Sequence, residues 1–330
     1  MTPDNRAALI AVLSRAAGHP VEIAAMHPLT GGASSETWSV DALRPAPWPL
    51  IVQRAATSEP QKAGFTRANQ ARLQALAGRH GVPVAGVVAI LAPDDGLGEG
   101  FIMDRLDGEA LAPRWLKSDA FAAARAALTG QCAAVLARLH AIPVAEVAGL
   151  GLAAGSISEQ WQAMDANYRR FAVNLPVFEL ALAWLAERCG NSPASAIVHG
   201  DFRSGNLLIG PHGLIAALDW ELAHLGCGAE DLGWLCVNAW RFGHWQRPVG
   251  GFGAREELYR LYAEAGGQPI DRARAHMWEV WGTLRWGLAC LQLGDDHASG
   301  RLRSIERAAI GRRVSEVELD LLHLIRHGSI

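Results

Sequence analysis

Residues 198–206 read VHGDFRSGN. An apolar run ends at Val198, and a turn rich in Gly and Ser comes next, carrying His199, Asp201 and, five positions after that acid, Asn206. Asp, Gly, Ser and Asn are the ordinary residues of turns, so the stretch alone reads equally well as a surface bend. The residues after it are more informative. The run NLLIG, the turn PHG and the run LIAALDW form a hairpin over residues 206–220 that carries the chain from Asn206 to Asp219. A hairpin returns its end to the neighbourhood of its start, so this spacing predicts Asp219 close to Asn206 and Asp201. Two carboxylates and a carboxamide oxygen at one hairpin mouth make a hard-oxygen site suited to Mg²⁺. Asp201 is then free to act on a substrate hydroxyl as a base, the division of labour used in phosphoryl transfer.

Outward from this loop the chain changes character. Toward the N-terminus, an amphipathic helix in the first 20 residues precedes VEIAAMHPLTGGASSETWSVDA, which reads as strand, glycine turn and strand. WPLIVQRA is a third short strand ending on Arg54, and residues 61–79 have helical spacing at Phe65, Leu73 and Leu76. GVVAILA and GFIMDRL add two more strands. The first hundred residues therefore predict a sheet of about five strands with one long helix after the third. From Ser118 onward helices dominate, near 118–140, 156–172, 176–189, 229–241, 254–266, 271–293 and 303–326. The expected architecture is α+β and two-lobed, a small β lobe over residues 1–104 and a larger, mostly helical lobe over 105–330.

Composition narrows the function classes. The chain has 330 residues, 50% hydrophobic and 19% charged, with a formal net charge of -3, which is a globular composition. No block of like charge points to a nucleic-acid or membrane-surface partner, and no run of 18 uninterrupted apolar residues predicts a membrane span. Five cysteines without a C-x-x-C fit reduced thiols rather than a disulfide frame or zinc site. The N-terminus lacks the basic start and solid apolar core of a signal peptide. A cytoplasmic protein is expected.

HGDFRSGN, succeeded by DWE at 219–221, resembles the catalytic and metal loops of the aminoglycoside phosphotransferase and choline kinase superfamily, which has the protein-kinase-like fold with His-Gly-Asp in place of His-Arg-Asp. LTGGASSETWSV looks like its nucleotide loop, FIMDRLDGEAL like its hinge and GAEDLGWL like its post-metal helix. DWELAHLG, WRFG and GFGAREELY look most like the branch related to the kinase-like domain fused to some acyl-CoA dehydrogenases. The resemblance implies an ATP- and Mg²⁺-dependent kinase of a small-molecule hydroxyl. It makes Asp201 the base and Asn206 and Asp219 the metal ligands. His199 and Asp231 support the loop, Asp231 by accepting hydrogen bonds from its backbone. Glu221 reads either as a second metal ligand or as a solvated acid at a strand end.

The nucleotide site predicted from this resemblance takes in Gly31, Gly32, Ser34 and Ser35, whose backbone N–H groups and hydroxyls would cover the phosphates, and Met103 and Asp104 at the hinge. No Walker G-x-x-x-x-G-K-[ST] occurs. Two departures from the family pattern stand out. The third-strand lysine is replaced by Arg54, which can bind phosphate bidentately. Its usual partner, a glutamate on the next helix, has no counterpart, because Ala68, Asn69 and Gln70 occupy that region.

The acceptor is expected against the helical lobe, where most of the 12 tryptophans lie. Trp278 and Trp281 read as one buried helix face. Arg241, His244 and Arg247 cluster in WRFGHWQR and would favour an anionic acceptor, a hydroxyacyl-CoA or hydroxy acid, over a polycationic aminoglycoside, a macrolide or a choline-type amino alcohol. An ATP-binding module of weak activity and a metal-dependent hydrolase using His199, Asp201, Asp219 and His224 are the rival readings.

Overall fold

Between Glu22 and Asp104 the chain forms five antiparallel strands, preceded by one helix and interrupted by another. In this computed structural model, which describes residues 3–29, 35–55, 64–190 and 194–328, α1 (Pro3–Ala17) leads into β1 (Glu22–Leu29), β2 (Ser35–Arg44) and β3 (Ala46–Ala55). Helix α2 (Arg67–Arg79) comes next, then β4 (Val87–Ile90) and β5 (Gly100–Asp104). The strand order is β1-β2-β3-β5-β4. Alternate residues of β3 and β5 divide between two faces. Leu50, Val52 and Ile102 join Val40 and the α1 residues Leu9, Val12 and Leu13 in one apolar cluster. Met103 faces the other way, with its Sδ 3.7 Å from Gln74 Nε2 on α2. Thr66 caps α2 by accepting from Asn69 N at 3.2 Å, satisfying one of the helix's orphan donors.

Helical periodicity takes over after Gly108. The second unit contains α3 (Ala112–Lys117), α4 (Ala122–His140), α5 (Ile157–Arg169) and α6 (Pro176–Ala186). Three short strands and part of a fourth come after these helices: β6 (Ala196–Val198), β7 (Leu207–Gly210), β8 (Gly213–Ala217) and β9 (His224–Gly226). The chain ends in α7 (Ala229–Cys236), α8 (Arg255–Glu264), α9 (Arg272–Ala298), α10 (Ile305–Gly311) and α11 (Val314–His327). Strands β7 and β8 pair, as do β6 and β9. Where the sequence suggests one cut at 104/105, the first unit runs to Gly108 and also takes in Ala145–Ala153 and Ile215–Glu221.

Helix α9 is the spine of the second unit. Its Trp278, Trp281, Leu284 and Leu288 pack with Phe178, Leu182 and Leu185 of α6 and with Val317, Leu321 and Leu324 of α11. Each such fully buried side chain contributes about 1.5–3 kcal/mol. Trp278 and Trp281 are thus core, with ring centroids 5.3 Å apart. Helix α7 lies very close to α9, because a Cβ on Gly233 would stand 2.6 Å from Cβ of Trp278. Only glycine permits that approach, and it sets where α7 presents its polar side chains.

The segment Asp119–His140 is long and apolar enough by composition to cross a membrane, yet it places Leu128, Val135, Leu136 and Leu139 inside this unit. The five cysteines are free. Burial pushes the thiols of Cys132, Cys236 and Cys290 up to about 12, which keeps them protonated.

Candidate active site

Strand β6 pairs with β9 through Val198 and His224 and then releases the chain into the 199–206 loop. Gly200 takes φ +76°, and a Cβ there would meet Leu222 O at 2.3 Å, so the turn demands glycine on two counts. Asp231, fully buried on α7, accepts from His199 N at 2.8 Å through Oδ2 and from Gly200 N at 2.9 Å through Oδ1. Its Oδ2 also lies 3.1 Å from Nε2 of His140, whose Nδ1 is 2.8 Å from the Tyr262 hydroxyl. Burial opposes ionisation of Asp231, but the His140 hydrogen bond and charge, together with the His199 backbone, outweigh it and hold the carboxyl below its ordinary range. From the other side, Arg285 Nη2 donates to Gly200 O at 2.6 Å. The Gly200 peptide units are therefore gripped at both N–H and C=O.

Asp201 sits at the centre of this frame. Its backbone N–H donates to His199 Nδ1 at 3.2 Å. Oδ1 accepts from Trp234 Nε1 at 2.9 Å and Arg203 Nε at 3.0 Å. Oδ2 accepts from Asn206 Nδ2 at 2.6 Å, and the same nitrogen donates to the Asp201 main-chain oxygen at 3.0 Å. A carboxylate oxygen accepts about two hydrogen bonds, so Oδ1 is full and Oδ2 keeps one lone pair. Both Asn206 amide hydrogens are engaged, which leaves Oδ1 of Asn206 as its available ligand atom. That is the donor chemistry a hard cation requires.

Aromatic rings back the loop. The rings of Trp234, Trp240 and Trp286 meet in series at 5.0 Å and 4.8 Å. The Arg203 guanidinium lies 4.7 Å from the Trp240 ring centroid, and that of Arg285 lies 4.4 Å from Trp234, positions that favour cation–π attraction. His224, a metal ligand in the hydrolase reading, is instead 3.1 Å from Glu230 Oε2. Burial works against its charge, but Glu230 prevails and raises its pKa. Among the described residues, no group of three or more His, Cys, Asp or Glu side chains could hold a metal ion.

In the first unit, Asp219 lies just beyond β8 with φ +62°, a left-handed conformation that is unusual outside glycine. Trp220, fully buried, donates from Nε1 to Ala217 O at 3.2 Å. Glu221 is neither simply solvated nor isolated: its Oε2 stands 3.4 Å from Nη2 of Arg67, which is buried on α2. Helix α2 thus carries a cation toward an acid of the 215–221 segment, although it has no acid of its own.

Arg54 has a partner that the sequence pattern did not reveal. Its Nη2 lies 2.7 Å from Glu36 Oε2 on β2, directly across the ladder, and Nη1 donates to Leu97 O at 2.9 Å. Alternation puts Arg54 on the same face as Val52, the α1 face, whereas Gln53 shares the α2 face with Met103. The missing helix acid is therefore answered by a strand acid, a neighbour set by register. Met103 and Asp104 are half-buried at the end of β5, where Asp104 N donates to Gly86 O at 2.9 Å. Ser35 opens β2 opposite Ala55, while Gly31, Gly32 and Ser34 lie outside the described residues.

The expected basic patch is corrected at Arg241. This side chain is 0% exposed, its Nη2 3.0 Å from Glu279 Oε1 and 2.7 Å from Cys236 O. Glu279 also pairs with Arg255 at 2.5 Å. An arginine enclosed in this way is a core cation and presents no charge to an acceptor. His244 is half-buried, and the exposed Arg247 donates to Phe252 O at 3.2 Å. The cationic side chain that does touch the Asp201 carboxylate is Arg203, with Arg285 one residue layer behind. Both were legible as arginines, but nothing in their spacing marked them.

Residues 25–275 match the profile of a phosphotransferase enzyme family. Acyl-CoA dehydrogenase family member 10 of Mus musculus is 28% identical over 158 residues, covering 43% of this chain; the match spans only 15% of that relative's length. Among solved structures, a candidate aminoglycoside phosphotransferase of Ralstonia eutropha superposes with TM-score 0.71 at 21% identity, covering 94% of this chain and 95% of the other. An aminoglycoside 2'-phosphotransferase-IIIa in complex with GDP gives TM-score 0.65 at 14% identity, covering 96% and 99%. These structures share the fold with the present chain.

Proposed function

The chain belongs to the phosphotransferase enzyme family, and from that membership we propose that it transfers the γ-phosphoryl group of Mg·ATP to a hydroxyl of a small molecule. The observation that carries this reading is the Asp201 carboxylate, held by Trp234, Arg203 and Asn206 with a lone pair left on Oδ2. In this reading that oxygen would accept a hydrogen bond from an acceptor hydroxyl and take its proton as the hydroxyl oxygen attacks phosphorus. Asn206, through Oδ1, and Asp219, through its carboxylate, would hold Mg²⁺. The bound nucleotide and metal would supply the transferable phosphoryl group and neutralise charge on it. The chain's own work is to orient: Asp231 and Arg285 hold the Gly200 peptide units, and a loop displaced by 1 Å can lose about 100-fold in rate.

The acceptor we favour is anionic, a hydroxyacyl-CoA or a related hydroxy acid. Arg203 beside Asp201 supports this, since a polycationic or amino-alcohol acceptor calls for acidic walls. The partial similarity to an acyl-CoA dehydrogenase family member points the same way. The test is ADP release from Mg·ATP with separate pools of hydroxyacyl-CoAs, hydroxy acids, amino alcohols, macrolides and aminoglycosides, with Asp201→Asn alongside. Stimulation by the first two pools, abolished in the variant and by EDTA, is the expected result. Stimulation only by aminoglycosides, macrolides or amino alcohols would replace the acceptor assignment. Binding of Mg·ATP without turnover in any pool would favour a nucleotide-binding module instead.

A further inference from the structure

Helix α7 delivers two contacts to the 199–206 loop from residues one turn apart. Asp231 takes the backbone N–H groups of His199 and Gly200. Three residues on, and therefore on the same helix face, the buried Trp234 directs its indole N–H to Oδ1 of Asp201 at 2.9 Å. The first contact orients the backbone and the second orients the side chain. We infer that Trp234 is a positioning residue that selects which oxygen of Asp201 serves as the base.

Several features make this more than a core tryptophan finding a partner. Asp201 Oδ1 receives two donors, Trp234 and Arg203, whereas Oδ2 receives one, Asn206. Removing the indole N–H would open a lone pair on Oδ1, so both oxygens could then accept a hydroxyl and the carboxylate would be free to rotate about Cβ–Cγ. Arg203 cannot substitute for the indole, since its side chain is a quarter exposed and long, whereas Trp234 is fixed within α7. The indole is itself held in place. Arg285 lies over its ring at 4.4 Å while donating to Gly200 O, and Trp240 packs against it at 5.0 Å. Gly233 lets α7 approach α9 closely enough for Arg285, an α9 residue, to reach both.

The inference rests on Asp201 being the base, so its test includes a readout that needs no turnover. In a 15N-labelled sample the Trp234 indole resonance, assigned by triple-resonance correlations, should move in Asp201→Asn and exchange its proton at least 10-fold faster, because a carboxylate acceptor has been exchanged for a carboxamide. An unmoved, equally protected resonance overturns the proposal. The kinetic arm is Trp234→Phe, which keeps most of the aromatic bulk and deletes the N–H. It should lower kcat about 10–100-fold, with Mg·ATP affinity and acceptor KM each within about two-fold of the parent. A rise in KM at unchanged kcat, or a loss of Mg·ATP binding in proportion to activity, would mark a structural role and overturn it. If Trp234→Phe fails to fold, the resonance arm still decides. If the parent protein turns over no hydroxyl acceptor while the resonance responds as stated, the phosphotransferase reading fails and the Trp234–Asp201 contact stands.

Discussion

Replacing Asp231 by Asn changes one oxygen to an NH₂ group and should be felt at both ends of the 199–206 loop. In the native protein the two carboxylate oxygens accept from two different buried donors, His199 N and Gly200 N, at 2.8 Å and 2.9 Å. A carboxamide offers one acceptor, so one buried N–H loses its partner and faces a second donor. An unsatisfied buried donor costs about 1–3 kcal/mol. The bond that survives also loses its charge assistance, about a further 1 kcal/mol. Asp231→Asn should therefore destabilise the second unit by about 3 kcal/mol, and Asp231→Ala by at least as much. Urea denaturation followed by tryptophan fluorescence, with amide exchange measured at His199 and Gly200, reads the effect, and turnover should fall at least 100-fold. The pH dependence has a definite sign. The native carboxyl is depressed from its ordinary 3.8, so its contribution is full above about pH 4 and is lost as pH falls through the lower native value. The variant should lack that acid slope. An unchanged urea midpoint with undiminished protection at both amides would refute the clamp.

Other residues carry independent tests. Gly200→Ala must hold φ +76° with a Cβ 2.3 Å from Leu222 O; thermal unfolding should show a loss of about 2–4 kcal/mol together with loss of turnover. Glu279→Gln leaves Arg241 and Arg255 without their shared counter-charge, and chemical denaturation should show a loss of about 3–5 kcal/mol. Arg241→Ala should likewise lower stability while acceptor KM per folded molecule stays unchanged, because Arg241 is a core cation. Burial raises Asp320 to about 6 even though Asn238 bonds it. A carboxyl raised in the folded state costs stability as pH climbs from about 4 to 6, on the order of 2 kcal/mol after screening. Asp320→Asn should flatten that part of the Tm-versus-pH curve, and an unaltered curve would contradict the assignment.

Much of the molecule was legible from local pattern. Short apolar runs separated by glycine-rich turns marked the five strands, 3.6-residue spacing marked the helices, and HGDFRSGN with DWE carried the family, because loop chemistry depends on close spacing along the chain. The need for glycine at 200 comes from its left-handed turn and the nearby Leu222 carbonyl, and the sequence already holds it. The partnerships were another matter. Arg54 meets Glu36 because strands β2 and β3 pair in one register, and a shift of one residue would have put it on the opposite face. Arg241 looked like an acceptor contact by its proximity to His244 and Arg247, yet it is enclosed because α9 brings Glu279 to it across 38 positions of sequence. The Trp234 bond to Asp201 depends on the depth at which Gly233 lets α7 settle against α9. Sequence spacing determines which groups share a strand, a turn or a helix face. The charges and hydrogen bonds that orient Asp201 come from separate elements, and only close packing of those elements decides which of them meet.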